Sequence, residues 1–325
     1  MQSRLGFERR TFLVTVAGGL AARPLQAARP RYGSLTPEEF REQLNGPITS
    51  IPTVFTSDFR VDHDGVRKII DTGVKSGSKV FALTAGDSRY DDLTYEEIKR
   101  LTRTVVEGVA ARGLTIAATG SWWTGQVIDY ARFASDLGAD SIQVKLPLTG
   151  TEDALYEHYR KVATATKRAI VLHGQAPMPL LKRLMEIDSI VACKDEYPAM
   201  YTMEMFAHYA KRLNIFSGGQ MSRFLTYQPY GMRAFFSAFS AFAPEVQRQF
   251  WNAVEHGDMD AAQKVMFRYD IPFFERFSHP FWRATLEYFG IAGRYLRPPE
   301  RTFALAEVRA LKPFYDSLGL AGKSI

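Results

Sequence analysis

From residue 35 onward the chain alternates short apolar runs rich in β-branched residues with longer stretches of helical periodicity. Eight runs read as strands: Thr49–Phe55, Lys79–Thr84, Leu114–Thr119, Ser141–Leu146, Ala169–His173, Ile190–Lys194, Asn214–Ser217 and Arg233–Ser237. They recur at roughly 20–35 residues, the length of one βα unit. The intervening stretches carry helix start and stop signals. Asp64 can cap a helix running to Lys75. Thr94 with Glu97 forms a capping-box pattern. Thr124 opens a helix to Leu137, and Gly138 follows it where a C′ glycine belongs. Eight consecutive βα units predict an α/β fold, a closed (β/α)₈ TIM barrel rather than an open sheet. No Gly-rich dinucleotide fingerprint follows the first strand.

After the eighth run the pattern changes. Pro244 to Gly290 is rich in Phe, Trp, Arg and Glu at helical spacing, and Ala304 to Leu318 reads as a further helix broken or kinked at Pro313. This predicts a C-terminal helical region, residues 241–325, packed on a barrel formed by 29–240. The clustered aromatics Phe273, Phe274, Phe277, Phe281 and Trp282 are expected to serve helix–helix packing; lining a substrate entrance is the other reading.

The first 28 residues stand apart. Arg9-Arg10 is followed by Thr11-Phe12-Leu13, then an apolar stretch to Ala22 and a small-residue site at Leu25-Gln26-Ala27. That order resembles a bacterial twin-arginine export signal, with the folded protein then working in the periplasm or outside the cell. Its apolar stretch is too short to cross a bilayer.

Composition narrows the class. The 325 residues are 46% hydrophobic and 23% charged, enough for one large core. Half of the formal +6 charge lies in the first 28 residues, leaving too little on the folded part to argue for nucleic acid. A single cysteine, Cys193, excludes an intrachain disulfide and a cysteine metal site. The six histidines are scattered, without HExxH, and no metal or organic cofactor is expected. Chemistry using His173 with Asp195 or Glu196 on a metal is the minor reading.

Barrel active sites are built at the C-terminal ends of strands. Lys194 ends the apolar run Ile190-Val191-Ala192-Cys193, so by alternation it shares the inner face with Ala192, and Cys193 faces the helices. Burial disfavours an ammonium and favours the nucleophilic amine. Such an amine condenses with a ketone, and the iminium formed is an electron sink for C–C cleavage or dehydration. The competing reading is a strand-end lysine reaching solvent. Trp122 and Trp123 are expected in core or interface positions, with stacking on a substrate as the alternative. Asp195 and Glu196 are expected to serve packing and loop hydrogen bonds.

Spaced motifs are similar to those of the dihydrodipicolinate synthase / N-acetylneuraminate lyase family. Ile51-Pro52-Thr53-Val54-Phe55-Thr56 with Val61-Asp62 resembles its opening. Leu83-Thr84-Ala85-Gly86-Asp87 with Leu93-Thr94-Tyr95-Glu96-Glu97 resembles its Gly-Thr-Thr-Gly-Glu and Leu-Ser/Thr-x-Glu-Glu stretches. Gly138-Ala139-Asp140 and Pro147 bracket strand four, Lys194-Asp195 matches the Schiff-base Lys-Asp pair, and Gly218 with the stretch from Gly231 to Pro244 matches the last two barrel strands. The resemblance spans about 45–260. It implies a class I aldolase, lyase or hydro-lyase acting on a 2-oxo acid of the pyruvate type, a small molecule bound covalently at Lys194. It also implies a homo-oligomer, a dimer or tetramer. Thr84, Ala85, Gly86 and Gly218 are the implied substrate-binding residues.

The departures are as informative. His173 stands where the family has the proton-shuttling tyrosine of Tyr-Asn-x-Pro, in His-Gly-Gln-Ala-Pro177. Pro147-Leu148-Thr149 replaces Pro-Tyr-Tyr, Ala85 the second threonine, and Met178-Pro179 the distal-carboxylate arginine. His173 is therefore the candidate acid/base, and the lysine-biosynthesis synthase reaction is not expected. The alternative is a binding protein for a 2-oxo acid or sugar acid on an aldolase scaffold that has lost turnover.

Overall fold

The computed structural model describes residues 35–323; the export-signal reading falls on residues outside them. Eight parallel strands close into a barrel in sequence order, β1 pairing with both β2 and β8. They are β1 Gly46–Ser50, β2 Val80–Ala82, β3 Leu114–Ala118, β4 Ser141–Lys145, β5 Ala169–His173, β6 Ile190–Asp195, β7 Asn214–Ser217 and β8 Ala234–Ser237. A short helix, α1 Pro37–Gln43, precedes β1. The connecting helices are α2 His63–Lys75, α3 Tyr95–Val109, α4 Thr124–Leu137, α5 Glu152–Thr166, α6 Met178–Leu184, α7 Ala199–Tyr209 and α8 Met221–Tyr227.

The expected caps largely hold. Thr94 and Glu97 bond reciprocally at the start of α3, and Gly138 closes α4 in the left-handed region at φ 98°. The cap of α2 is Asp62 rather than Asp64; its carboxylate accepts from the Gly65 N–H, while Asp64 sits inside the first turn.

The first strand is the main difference. The apolar run 51–55 lies beyond β1, whose pairing with β2 ends at Ser50 and at the Ile51 N–H bond to the Ala82 carbonyl at 2.9 Å. Those residues are nevertheless buried, as a loop whose Phe55 makes isolated antiparallel bridges to Val61 and Tyr295. Burial beneath the C-terminal segment, not strand pairing, explains their apolarity.

Two apolar cores follow from strand alternation. Ile48, Val80, Ile116, Val171, Ala192, Phe216 and Phe236 fill the barrel interior, joined by Phe40 of α1 and by Leu44 just after it. Asn214 ties that helix down, donating to the Leu44 carbonyl at 2.6 Å. The outer core lies between strands and helices.

Beyond β8 come α9 Pro244–Glu255, α10 Met259–Val265, a π-helical turn Met266–Asp270, α11 Ile271–Glu275 and α12 His279–Tyr288. The last stretch forms α13 Leu305–Arg309 and α14 Lys312–Leu318. The break falls just before Pro313, which occupies the first turn of α14, where its missing N–H costs nothing. Phe273 and Phe281 pack as expected of helix–helix contacts. Phe274, Phe277 and Trp282, however, also line the cavity at the barrel mouth. None of the helices among the described residues is long and apolar enough to cross a membrane.

Candidate active site

A cavity of about 550 Å³ opens at the C-terminal ends of the strands. A slightly larger hollow, about 610 Å³, lies by the N-terminal strand ends near Pro47, Lys79 and Leu114, away from every candidate site residue. Barrel chemistry is carried by the C-terminal face, and the converging polar groups are found there.

Lys194 projects from β6 into this cavity, as alternation requires, with only 5% of its surface exposed. Cys193 turns outward into the helical layer near Tyr197, and burial pushes its thiol up to about 12, an unreactive state. Lys194 is not an isolated buried amine. Its Nζ lies 2.8 Å from Glu196 Oε1, donates to Thr84 Oγ1 at 3.4 Å, and sits 5.1 Å from the Phe236 ring centroid.

Glu196 connects Lys194 to His173. Its second oxygen lies 3.3 Å from His173 Nε2. On the far side of the ring, Gln143 Nε2 is 3.3 Å from His173 Nδ1 and 3.3 Å from Thr84 Oγ1. Lys194, Glu196, His173, Gln143 and Thr84 thus form a closed circuit of polar side chains. With the amide nitrogen of Gln143 donating, His173 Nδ1 accepts and Nε2 carries the hydrogen offered to the carboxylate. Burial lowers the pKa of His173, against the opposing hydrogen bond to Glu196. Burial would raise Glu196, but the hydrogen bond from His173 and the charge of Lys194 outweigh it and hold the carboxyl at about 2. Glu196 lies in a concave mouth yet keeps 45% of its side-chain surface accessible.

Glu196 was expected to serve packing and loop hydrogen bonds, with metal chemistry beside His173 as the minor reading. The signal for its contact with Lys194 was its place two residues later at a strand end, so that both point the same way. Gln143 is a polar residue on the inner face of β4 and was equally visible. Asp195 behaves as a packing and hydrogen-bonding residue. It is fully buried beneath the helices, pairs with Arg223 at 2.7 Å and accepts from Thr202 at 2.8 Å.

Thr84 and Gly86 line the cavity, as does Gly218. A Cβ on Gly218 would collide with Glu196 Cγ, so this glycine makes room for the carboxylate. Ala85 is not brought into the site; its side chain is buried in the outer core. Trp122 packs among Tyr90, Tyr95 and Tyr130, whereas Trp123 is 74% exposed just ahead of α4, and neither lines the cavity. No group of three or more His, Cys, Asp or Glu side chains suited to a metal converges among the described residues.

The C-terminal region is fastened to the mouth through Asp87. Its carboxylate accepts from Ser50 at 2.6 Å, from Trp282 Nε1 at 3.1 Å and from Arg283 at 3.3 Å. The fully buried Arg283 also donates to the carbonyls of Asp87 and Thr53.

A closed parallel barrel with a buried lysine at the mouth defines the class, a lyase of the class I aldolase type. Residues 43–312 match the model of the dihydrodipicolinate synthetase family, and the chain belongs to that family. Among curated relatives, a probable 5-dehydro-4-deoxyglucarate dehydratase 2 of Streptomyces avermitilis is 28% identical over 245 residues, covering 72% of each chain. A 4-hydroxy-tetrahydrodipicolinate synthase of Syntrophobacter fumaroxidans is 30% identical over 239 residues, 69% of this chain and 80% of its own. Among solved structures, YagE, a prophage protein of E. coli K12 in the same family crystallised with pyruvate, superposes with a TM-score of 0.75 at 22% identity, covering 85% of this chain and 99% of that one. N-acetylneuraminate lyase of Mycoplasma synoviae gives 0.75 at 18% identity, over 85% and 98%.

Proposed function

We propose that this protein is a Schiff-base lyase or hydro-lyase of a 2-oxo acid, with Lys194 as nucleophile and the Glu196–His173 pair moving protons. The observation that carries the reading is the buried Lys194 Nζ held 2.8 Å from Glu196 Oε1 at the cavity floor. In the empty site Glu196 stays ionised, its pKa held at about 2. The incoming substrate carboxylate and the loss of water raise it, and Glu196 then takes the ammonium proton and frees the amine. The amine adds to the keto carbon, and loss of water from the carbinolamine leaves the iminium. Glu196, or His173 relaying through it, then removes a proton next to the iminium or returns one to the leaving group. The Thr84 hydroxyl and the loop N–H groups around Gly86 receive the 2-oxo acid's carboxylate. YagE, crystallised with pyruvate on the same fold, supports a 2-oxo acid as ligand.

Relatives carry both dehydratase and synthase names. The residues here favour chemistry other than the synthase reaction. Met178 and Pro179 stand where the resemblance implies an arginine, and Leu148, where it implies a tyrosine, is 84% exposed. Turnover assays on 2-oxo sugar acids, with 5-dehydro-4-deoxyglucarate included, test this. Dehydration or C–C cleavage that is lost in Lys194→Ala supports it. Synthase turnover exceeding every other activity would sink it.

The reading places the enzyme outside the cytoplasm, supported by the order of Arg9-Arg10, apolar stretch and small-residue site. Replacing Arg9 and Arg10 by lysine should hold the protein in the cytoplasmic fraction; unchanged export would contradict a twin-arginine route.

A further inference from the structure

Charge pairing around the cavity leaves one group over. Lys194 is matched by Glu196, Arg223 by Asp195 at 2.7 Å, and Asp87 by Arg283 at 3.3 Å. Burial lowers the pKa of both His173 and His279, which favours their neutral forms. Lys145 also lines the cavity, from the end of β4, and among the described residues its side chain has no carboxylate at ion-pairing distance. The ion pairs of the lining cancel, so an unliganded site carries the charge of Lys145 in excess.

The position of that charge is defined. Lys145 pairs in register with His173, and His173 with Lys194, so the three lie abreast on β4, β5 and β6. Residues in register on neighbouring parallel strands point the same way, and Gln143, two residues before Lys145, already reaches into the site. Strands are about 4.8 Å apart, which sets the Lys145 and Lys194 backbones roughly 10 Å from each other across the mouth. The Lys145 backbone N–H is fixed by Thr119 Oγ1 at 3.0 Å. A substrate joined to Lys194 through its keto carbon, with its first carboxylate at Thr84 and Gly86, has its remaining chain free to run past His173 towards β4.

We infer that Lys145 binds a second carboxylate at the far end of the substrate, so that the natural 2-oxo acid is a diacid. The inference rests on the Schiff-base reading for the position of the keto carbon. It assigns to a strand-four lysine the charge recognition that Met178 and Pro179 cannot supply. A charge-assisted contact of this kind is worth about tenfold or more in affinity over an uncharged end group.

The test is calorimetric binding of 2-oxoadipate against 2-oxohexanoate, which differ only in the terminal carboxylate. Wild-type protein should prefer the diacid by about tenfold or more. The preference should vanish in Lys145→Met and persist in Lys145→Arg, which keeps the charge and controls for folding. No preference in the wild type, or an equal preference in Lys145→Met, overturns the assignment. Reductive trapping with pyruvate, a ligand without a second carboxylate, reports on the Schiff base alone. Labelling by pyruvate with no diacid preference refutes only Lys145. Diacid preference lost in Lys145→Met, without labelling, supports Lys145 as the anion contact and refutes the covalent step.

Discussion

Glu196 Oε1 and Lys194 Nζ lie 2.8 Å apart, joined across a single intervening residue at the end of β6. The lysine is therefore delivered to the cavity with a carboxylate already bound to its amine. Glu196 also binds His173, so one carboxylate links the nucleophile to the imidazole.

Glu196→Gln keeps the size of the side chain and removes its ability to accept a proton. Turnover should fall by about 10²–10⁴, the usual contribution of a positioned acid/base. His173→Ala should lose less, because Glu196 still contacts the amine directly. Steady-state kcat in the two variants decides the order; a Glu196→Gln enzyme as active as wild type would move proton transfer elsewhere.

Lys194 was legible because strand alternation and the barrel rule together assign it to the inner mouth, whereas Thr84, Gly86 and Gly218 came from the motifs of the family resemblance. Strands β5 and β7 were legible to the residue, each an apolar run bounded by polar or turn residues. The loop 51–55 was misread because burial by a distant segment gives the same apolar signal as burial in a sheet. Gln143 and Lys145 were overlooked because a polar residue in a strand does not announce its surroundings; the partners of Gln143 are Thr84, just beyond β2, and His173 of β5. The part of Phe274, Phe277 and Trp282 in the cavity depends on how the C-terminal helices dock, a long-range relationship no local pattern encodes.

That docking centres on Arg283, which has no exposed surface and donates to Asp87 and to the Thr53 carbonyl. Arg283→Met leaves those acceptors without their donor and should destabilise the fold by about 3–5 kcal/mol, the cost of breaking a buried pair from one side. Denaturant unfolding checks this. A loss within about 0.5 kcal/mol, as at an ordinary surface site, would show that the clasp is not what holds the helical region.

Asp270 supplies a pH dependence of known sign. Burial raises its pKa from 3.8 to about 7, against backbone hydrogen bonds from Met221 and Ser222. Between those values the folded protein binds the proton and the unfolded chain releases it, so stability falls as pH rises from about 4 to 7 and the contribution is level above. The slope is at most about 1.4 kcal/mol per pH unit. Unfolding free energies of wild type and Asp270→Asn, measured across that range, should converge at low pH in this term and separate towards neutrality. Curves that stay parallel would place the titration on another group.

The central claim is that Lys194 forms an imine with a 2-oxo acid, and reductive trapping tests it most directly. Protein incubated with pyruvate and borohydride should gain the mass of one reduced pyruvate imine. Peptide mapping should place it on Lys194, and Lys194→Ala should gain none at that position. An intact protein that remains unlabelled across a panel of 2-oxo acids, or labels equally without Lys194, would contradict the account.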